Sequence, residues 1–208
     1  MSNISMTTSK RNAIVTVMLI SAFVSMLNQT ILNTALPAII KGLNITETTA
    51  QWLITGFMLV NGIMIPLTAF LMDKYSTRHL YIFSMAIFLI GSIIAAFSPT
   101  FTILMISRII QAIGAGILLP LMQFTVFTLF PAEQRGFAMG LAGVVVQSAP
   151  AIGPTLTGLF VDLFSWRMPF YLVSAIAAVA FILGFFFVEN NTKTKDIVLD
   201  KISVVYST

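Results

Sequence analysis

The sequence predicts an all-α membrane protein of six transmembrane helices with both termini in the cytoplasm. Three observations carry this. The 208 residues are 58% hydrophobic and 9% charged, where soluble domains carry about a quarter charged residues. Charged side chains and His79 then divide the chain into long charge-free runs, at 12–40, 48–72, 80–107, 109–132, 136–161 and 168–188. Each is long enough to cross a bilayer, which takes about 20 residues. Finally, the basic residues alternate in density between successive loops. With the N-terminus inside, the inner segments hold Lys10, Arg11, Lys74, Arg78, Arg135, Lys193, Lys195 and Lys201, and the outer loops only Lys41 and Arg167. Such an excess sets orientation.

Taken in order, the first helix is expected at 13–36. Lys10 and Arg11 precede it as in a signal peptide, but the apolar run far exceeds the roughly 7–15 residues of a signal core. The second helix is expected at 50–72. The third, at 79–97, ends where Pro99 interrupts "AAFSPTF", because proline lacks a backbone donor. The fourth, at 101–129, carries one charge, Arg108. The fifth, at 136–161, contains Pro150 and Pro154 among several glycines, a composition for a bent and closely packed helix. The sixth is expected at 168–188. Helices are favoured because backbone groups in lipid must pair within their own segment. The organisation is thus a cytoplasmic N-terminus at 1–11, a six-helix bundle at 12–188 and a cytoplasmic tail at 189–208. That tail turns apolar at "DIVLDKISVVYST", as a frayed end or as the entry to a seventh helix that the chain does not complete.

Several function classes drop out. Cysteine is absent and His79 is the lone histidine, so a metal site lacks its usual ligands. Basic residues fall between apolar runs rather than on one face, against nucleic-acid binding. No nucleophile–base pair points to an enzyme.

Polar residues inside the apolar runs are the informative ones. Ser21, Ser25, Gln29 and Asn33 recur at steps of four in the first helix, beside Asn28 and Thr30. Amides in hydrocarbon must pair or face water, so this stripe either bonds to neighbouring helices or lines a cavity. Arg108 lies about seven residues into its helix, roughly 10 Å deep. Intramembrane charges face a bundle interior or a water-filled cavity, unless they snorkel to the interface. Asp73, Lys74, Arg78 and His79 crowd one short loop.

Four stretches together resemble the major facilitator superfamily, and more narrowly its fourteen-helix drug:proton antiporter branch. "LNQTILNTALP" (Leu27 to Pro37) is similar to the first-helix pattern L-D-x-T-x-x-N-x-A-L-P. "AFLMDKYSTRH" keeps Asp73, Lys74 and Arg78 of the loop motif but has Ala69 in place of its first glycine. "RIIQAIGAG" matches R-x-x-Q-G-x-G at Arg108 and Gln111, with Gly114 and Gly116 nearby. "APAIGPTLTG" matches the antiporter motif at Gly153, Pro154 and Gly158, with Ala149 and Thr157 replacing glycines. "SWRMPFYL" resembles the opening of the family's sixth helix.

The resemblance implies one six-helix half of a major facilitator fold, taken from a proton-coupled multidrug or lincomycin exporter that works by alternating access. It implies gating and coupling roles for Asp73, Lys74, Arg78, Arg108 and Gln111, and a helix seam at Gly153, Pro154 and Gly158. No cofactor is expected; a proton gradient supplies the energy. The cavity is expected to be lined from Asn28, Gln29, Thr30, Asn33, Trp52, Asn61, Gln123 and Gln147, with Arg108 facing it. A small amphiphilic drug-like substrate, the bilayer, and a missing C-terminal half or second copy are the expected partners, in a bacterial plasma membrane. The alternatives are a half-size transporter acting as a homodimer or with a separate half, and a transport-inactive membrane interaction protein. One departure matters: the pattern's aspartate is Asn28 here, and every acid lies at or beyond a helix end. The proton carrier is therefore expected in an absent part of the protein or at a helix-end acid.

Overall fold

A computed structural model describes residues 7–188. These residues form six helices: α1 (Thr8–Leu43), α2 (Glu47–Lys74), α3 (Thr77–Ala96), α4 (Phe101–Leu129), α5 (Ala132–Leu163) and α6 (Met168–Phe187). All six are long and apolar enough to cross a membrane. The expected tail at 189–208, with its seventh-helix entry, lies outside the described residues.

Several boundaries lie outside the expected spans: α1 starts at Thr8 rather than 13 and α2 at Glu47 rather than 50, and two further differences have a clear physical reason. α1 runs through Pro37 and stops only at Asn44, whose left-handed φ of 51° caps it. A proline removes one donor and one turn of ideal packing, which a long buried helix absorbs. At 36 residues it spans about 54 Å, well beyond a hydrocarbon core of about 30 Å, so both of its ends reach the interface. α5 begins at Ala132 rather than 136, just after Pro131, and continues unbroken past Pro150 and Pro154. Elsewhere the turn chemistry sets the starts: the side chains of Thr46, Ser76 and Thr100 accept from the backbone N–H three residues on, the usual N-cap arrangement.

α1 and α4 form the centre. α1 packs against α4, α5 and α6, and α4 packs against α2 and α3. α3 and α6 close the back of the bundle, while α2 and α5 stand at its two flanks and carry large exposed apolar side chains such as Leu59, Ile63, Phe137 and Val144. Close helix approach comes from small residues. A Cβ on Gly114 would sit 2.5 Å from the carbonyl oxygen of Ser84 and 2.9 Å from the backbone nitrogen of Phe88, so α3 and α4 meet almost backbone to backbone.

The two ends differ in charge. At one end Arg11 lies 4.4 Å over the Phe130 ring, Arg135 donates to the Phe130 carbonyl at 3.1 Å, and Arg78 donates to the Phe185 carbonyl at 3.1 Å. At the other, Arg167 donates to the Ser98 carbonyl at 2.9 Å and stacks on Trp166. Each guanidinium thus ties a helix end to a carbonyl or an aromatic face.

Candidate functional site

Arg108 is 1% exposed. Its Nη1 donates to Gln111 Oε1 at 2.8 Å, a contact that α-helical i,i+3 spacing makes natural. The same oxygen accepts from Asn28 Nδ2 of α1 at 3.2 Å. Gln111 Nε2 in turn donates to Ser92 Oγ of α3 at 3.0 Å, and Ser92 Oγ donates to the Phe88 carbonyl at 2.8 Å. The guanidinium lies 4.1 Å from the ring centroid of Phe57 on α2. Four helices therefore converge on one charge. Among the described residues no Asp or Glu is buried, so amide dipoles and an aromatic face carry the stabilisation that a carboxylate would otherwise supply. Two atoms of this cluster stay without hydrogen-bond partners, Asn28 Oδ1 and Arg108 Nε.

This corrects the expectation that Arg108 faces the cavity. Two cavities lie on the open side of the bundle and share Met26 and Leu119. One, of about 210 Å³, is lined by Ser25 and Gln29 of α1, Phe57 and Asn61 of α2, and Ala115 of α4, among others. The other, of about 180 Å³, is lined by Gln123, Met122, Met139 and Gln147, among others. Arg108 lines neither, and the Phe57 ring is common to the first cavity and to the arginine.

Of the eight residues expected to line a cavity, Gln29, Asn61, Gln123 and Gln147 do so. The other four do not. Asn28 is fully buried in the arginine cluster. Thr30 bonds the Leu27 carbonyl and faces Gly153 of α5, where an added Cβ would collide with its hydroxyl. Asn33 is exposed, and Trp52 is 57% exposed. The stripe fails because steps of four residues drift about 40° each around a helix of 3.6 residues per turn. Ser21, at its start, points instead into the back of the bundle, 2.7 Å from the Tyr81 hydroxyl. That hydroxyl donates to the Ala180 carbonyl at 2.9 Å and so joins α1, α3 and α6.

The remaining site residues are placed as follows. Asp73 and Lys74 are exposed at the end of α2, and Arg78 reaches across to α6. Gly153 is buried at the α1–α5 contact. Pro154 is exposed, and nothing lies within 4 Å of the Cβ position of the half-buried Gly158. Sequence reading missed Phe57 and Ser92. An aromatic in an apolar helix carries no signal alone; the clue was that a buried cation lacking a carboxylate needs some other partner.

A family model described as Major Facilitator Superfamily matches residues 18–203. The chain belongs to the Major Facilitator Superfamily. It is 50% identical over 198 residues to the uncharacterized MFS-type transporter YcnB of Bacillus subtilis, covering 95% of this chain and 42% of that protein. It is 40% identical to the lincomycin resistance protein LmrB of the same organism, covering 92% of this chain and 40% of LmrB. The multidrug transporter protein MdtP, also from Bacillus subtilis, is 32% identical, with 84% of this chain and 32% of MdtP covered. The chain thus spans less than half the length of these relatives. Superfamily members are transporters rather than enzymes, and the six helices make this a multi-pass membrane protein.

Proposed function

We propose that the chain supplies one half of a proton-coupled drug exporter in a bacterial plasma membrane. A second six-helix unit, from another segment, another chain or another copy, closes the pathway, and the two halves rock against each other about a midplane site. The observation that carries this reading is the groove between α1, α2, α4 and α5. Its walls present amides (Gln29, Asn61, Gln123, Gln147) and thioethers (Met26, Met122, Met139) with no charged side chain. Such a lining suits a bulky amphiphile: flexible methionines adapt to shape, and amides offer both donors and acceptors. The basic end with Arg11, Lys74, Arg78 and Arg135 faces the cytoplasm on the positive-inside rule. Asp73 and Arg78 gate the cytoplasmic end, and Arg108 with Gln111 couples proton movement to it. Because Asn28 stands where a carboxylate is common, the proton rides on an acid of the other half or at a helix end.

The test replaces the matching segment of LmrB with this chain in a host lacking LmrB. Lincomycin resistance should be restored and should disappear with a protonophore. A chimaera that reaches the membrane yet changes resistance to no drug would refute the export reading. Resistance from the 208-residue chain expressed alone would assign the second unit to another copy.

A further inference from the structure

We propose that Phe57 is a positioning residue that partitions the groove from the buried Arg108 cluster. The inference rests on the groove being the substrate path, but its test needs no transport.

Three observations meet at this ring. Phe57 is 1% exposed, so it is packed on nearly every side. It lines the cavity beside Gln29 and Asn61. Its centroid lies 4.1 Å from the Arg108 guanidinium carbon. The neighbouring Gly56 lets α2 press against Met105 of α4, which holds the ring at α4. A molecule in the cavity therefore reaches only the edge of this packed ring, while the charge stays on the far side, held by Gln111, whose side-chain oxygen also accepts from Asn28. The ring does one job that an aliphatic side chain of equal size would not. Its quadrupole attracts the guanidinium, which keeps Arg108 on Gln111 although Nε has no partner. Like any apolar side chain placed there, the ring also keeps the guanidinium out of contact with the cavity.

The experiment uses the whole chain in lipid nanodiscs and phenylglyoxal, a membrane-permeant reagent for arginine, with peptide mass spectrometry as readout. Arg78 and Arg167, at the two ends, report folding in the same sample. Wild type and Phe57→Tyr, which keeps the ring, should leave Arg108 nearly unlabelled. Phe57→Leu and Phe57→Met fill similar space without a ring, and labelling at Arg108 should rise on the order of tenfold with Arg78 and Arg167 unchanged. Should Phe57→Leu unfold, all three arginines would rise together, and Phe57→Met carries the test. Equal Arg108 labelling in wild type and in a folded ring-less variant overturns the proposal. So does labelling in Phe57→Tyr as high as in Phe57→Met. Because no drug enters the experiment, failure of the export reading would leave this result standing, and the reverse.

Discussion

α4 and α5 look alike as sequence and behave differently as structure. Both are long and apolar, and both contain glycines, proline and glutamine. Of the most apolar 18 residues of α4, 56% are buried; of α5, 22%. Glycine in α4 is crowded: Gly114 meets the backbone of α3. Gly136, Gly140 and Gly143 of α5 have nothing within 4 Å of a Cβ position. Gln111 of α4 is buried in the arginine cluster, whereas Gln147 of α5 lines a cavity. The contrast is one of degree, since Gly153 of α5 is buried against Thr30 of α1 and Gln123 of α4 lines a cavity: the same residue types build the interior or the open face according to where each helix packs. In lipid, helix association depends on close packing and hydrogen bonds rather than on hydrophobic burial, so composition alone does not say which helix is central.

The sharpest way to break this contrast is Gly114→Leu. The new side chain would start 2.5 Å from a carbonyl oxygen and 2.9 Å from a backbone nitrogen, and neither can rotate away. Overpacking costs about 1–3 kcal/mol, occasionally more, and this site belongs at the upper end. Thermal unfolding of the purified chain in detergent should drop by many degrees, or the protein should fail to accumulate. A stable Gly114→Leu chain would mean that α3 and α4 do not pack as closely as described.

Next in size is Gln111→Ala. It leaves Arg108 Nη1 and Asn28 Nδ2 without their shared acceptor, while Ser92 Oγ keeps its bond to the Phe88 carbonyl. Each unsatisfied buried group costs about 1–3 kcal/mol, shared among groups that can partly re-pair. We expect a clear loss of thermal stability and, in the LmrB chimaera, loss of export. Arg108→Ala should insert normally and abolish coupled export, since it removes the charge itself. Export at wild-type level in Arg108→Ala would leave the arginine a purely structural role.

How much of this was legible in the sequence differs between fold and site. Six helices could be read because charges punctuate apolar runs, and charge is what a bilayer excludes. The end of α1 could not be read, because Pro37 is tolerated inside a long helix and no rule of spacing says so. At the site, Arg108 and Gln111 stood out as polar atoms in an apolar helix, and their pairing follows from spacing. Asn28 was assigned to the cavity although it is buried against Gln111, because the rotation of α1 relative to α4 is set by tertiary packing. Phe57 carried no mark at all: its role exists only where α2 meets α4.

Gln147→Ala belongs lower on the scale. The side chain is exposed to the groove, so stability should move by less than about 0.5 kcal/mol. In the chimaera the set of exported drugs should change, with some resistances reduced and others kept. An unchanged drug spectrum would remove the α5 side of the groove from the substrate path.

Gly140→Leu is expected to do least to the isolated chain and most to its assembly. No atom lies near the site, so thermal unfolding should shift by less than about 1 kcal/mol. Gly136, Gly140 and Gly143 fall at i, i+4 and i+7, along one face of α5, and small residues so spaced let another helix approach closely. A leucine there would hold a second unit off by the width of a side chain. In the chimaera, export should therefore fall while membrane insertion and unfolding temperature stay near wild type. Gly140→Ala, which adds one carbon, should fall between the two. If both variants export normally, the second unit does not pack on α5 at Gly140, and the exposed Leu59 and Ile63 of α2 become the next residues to change.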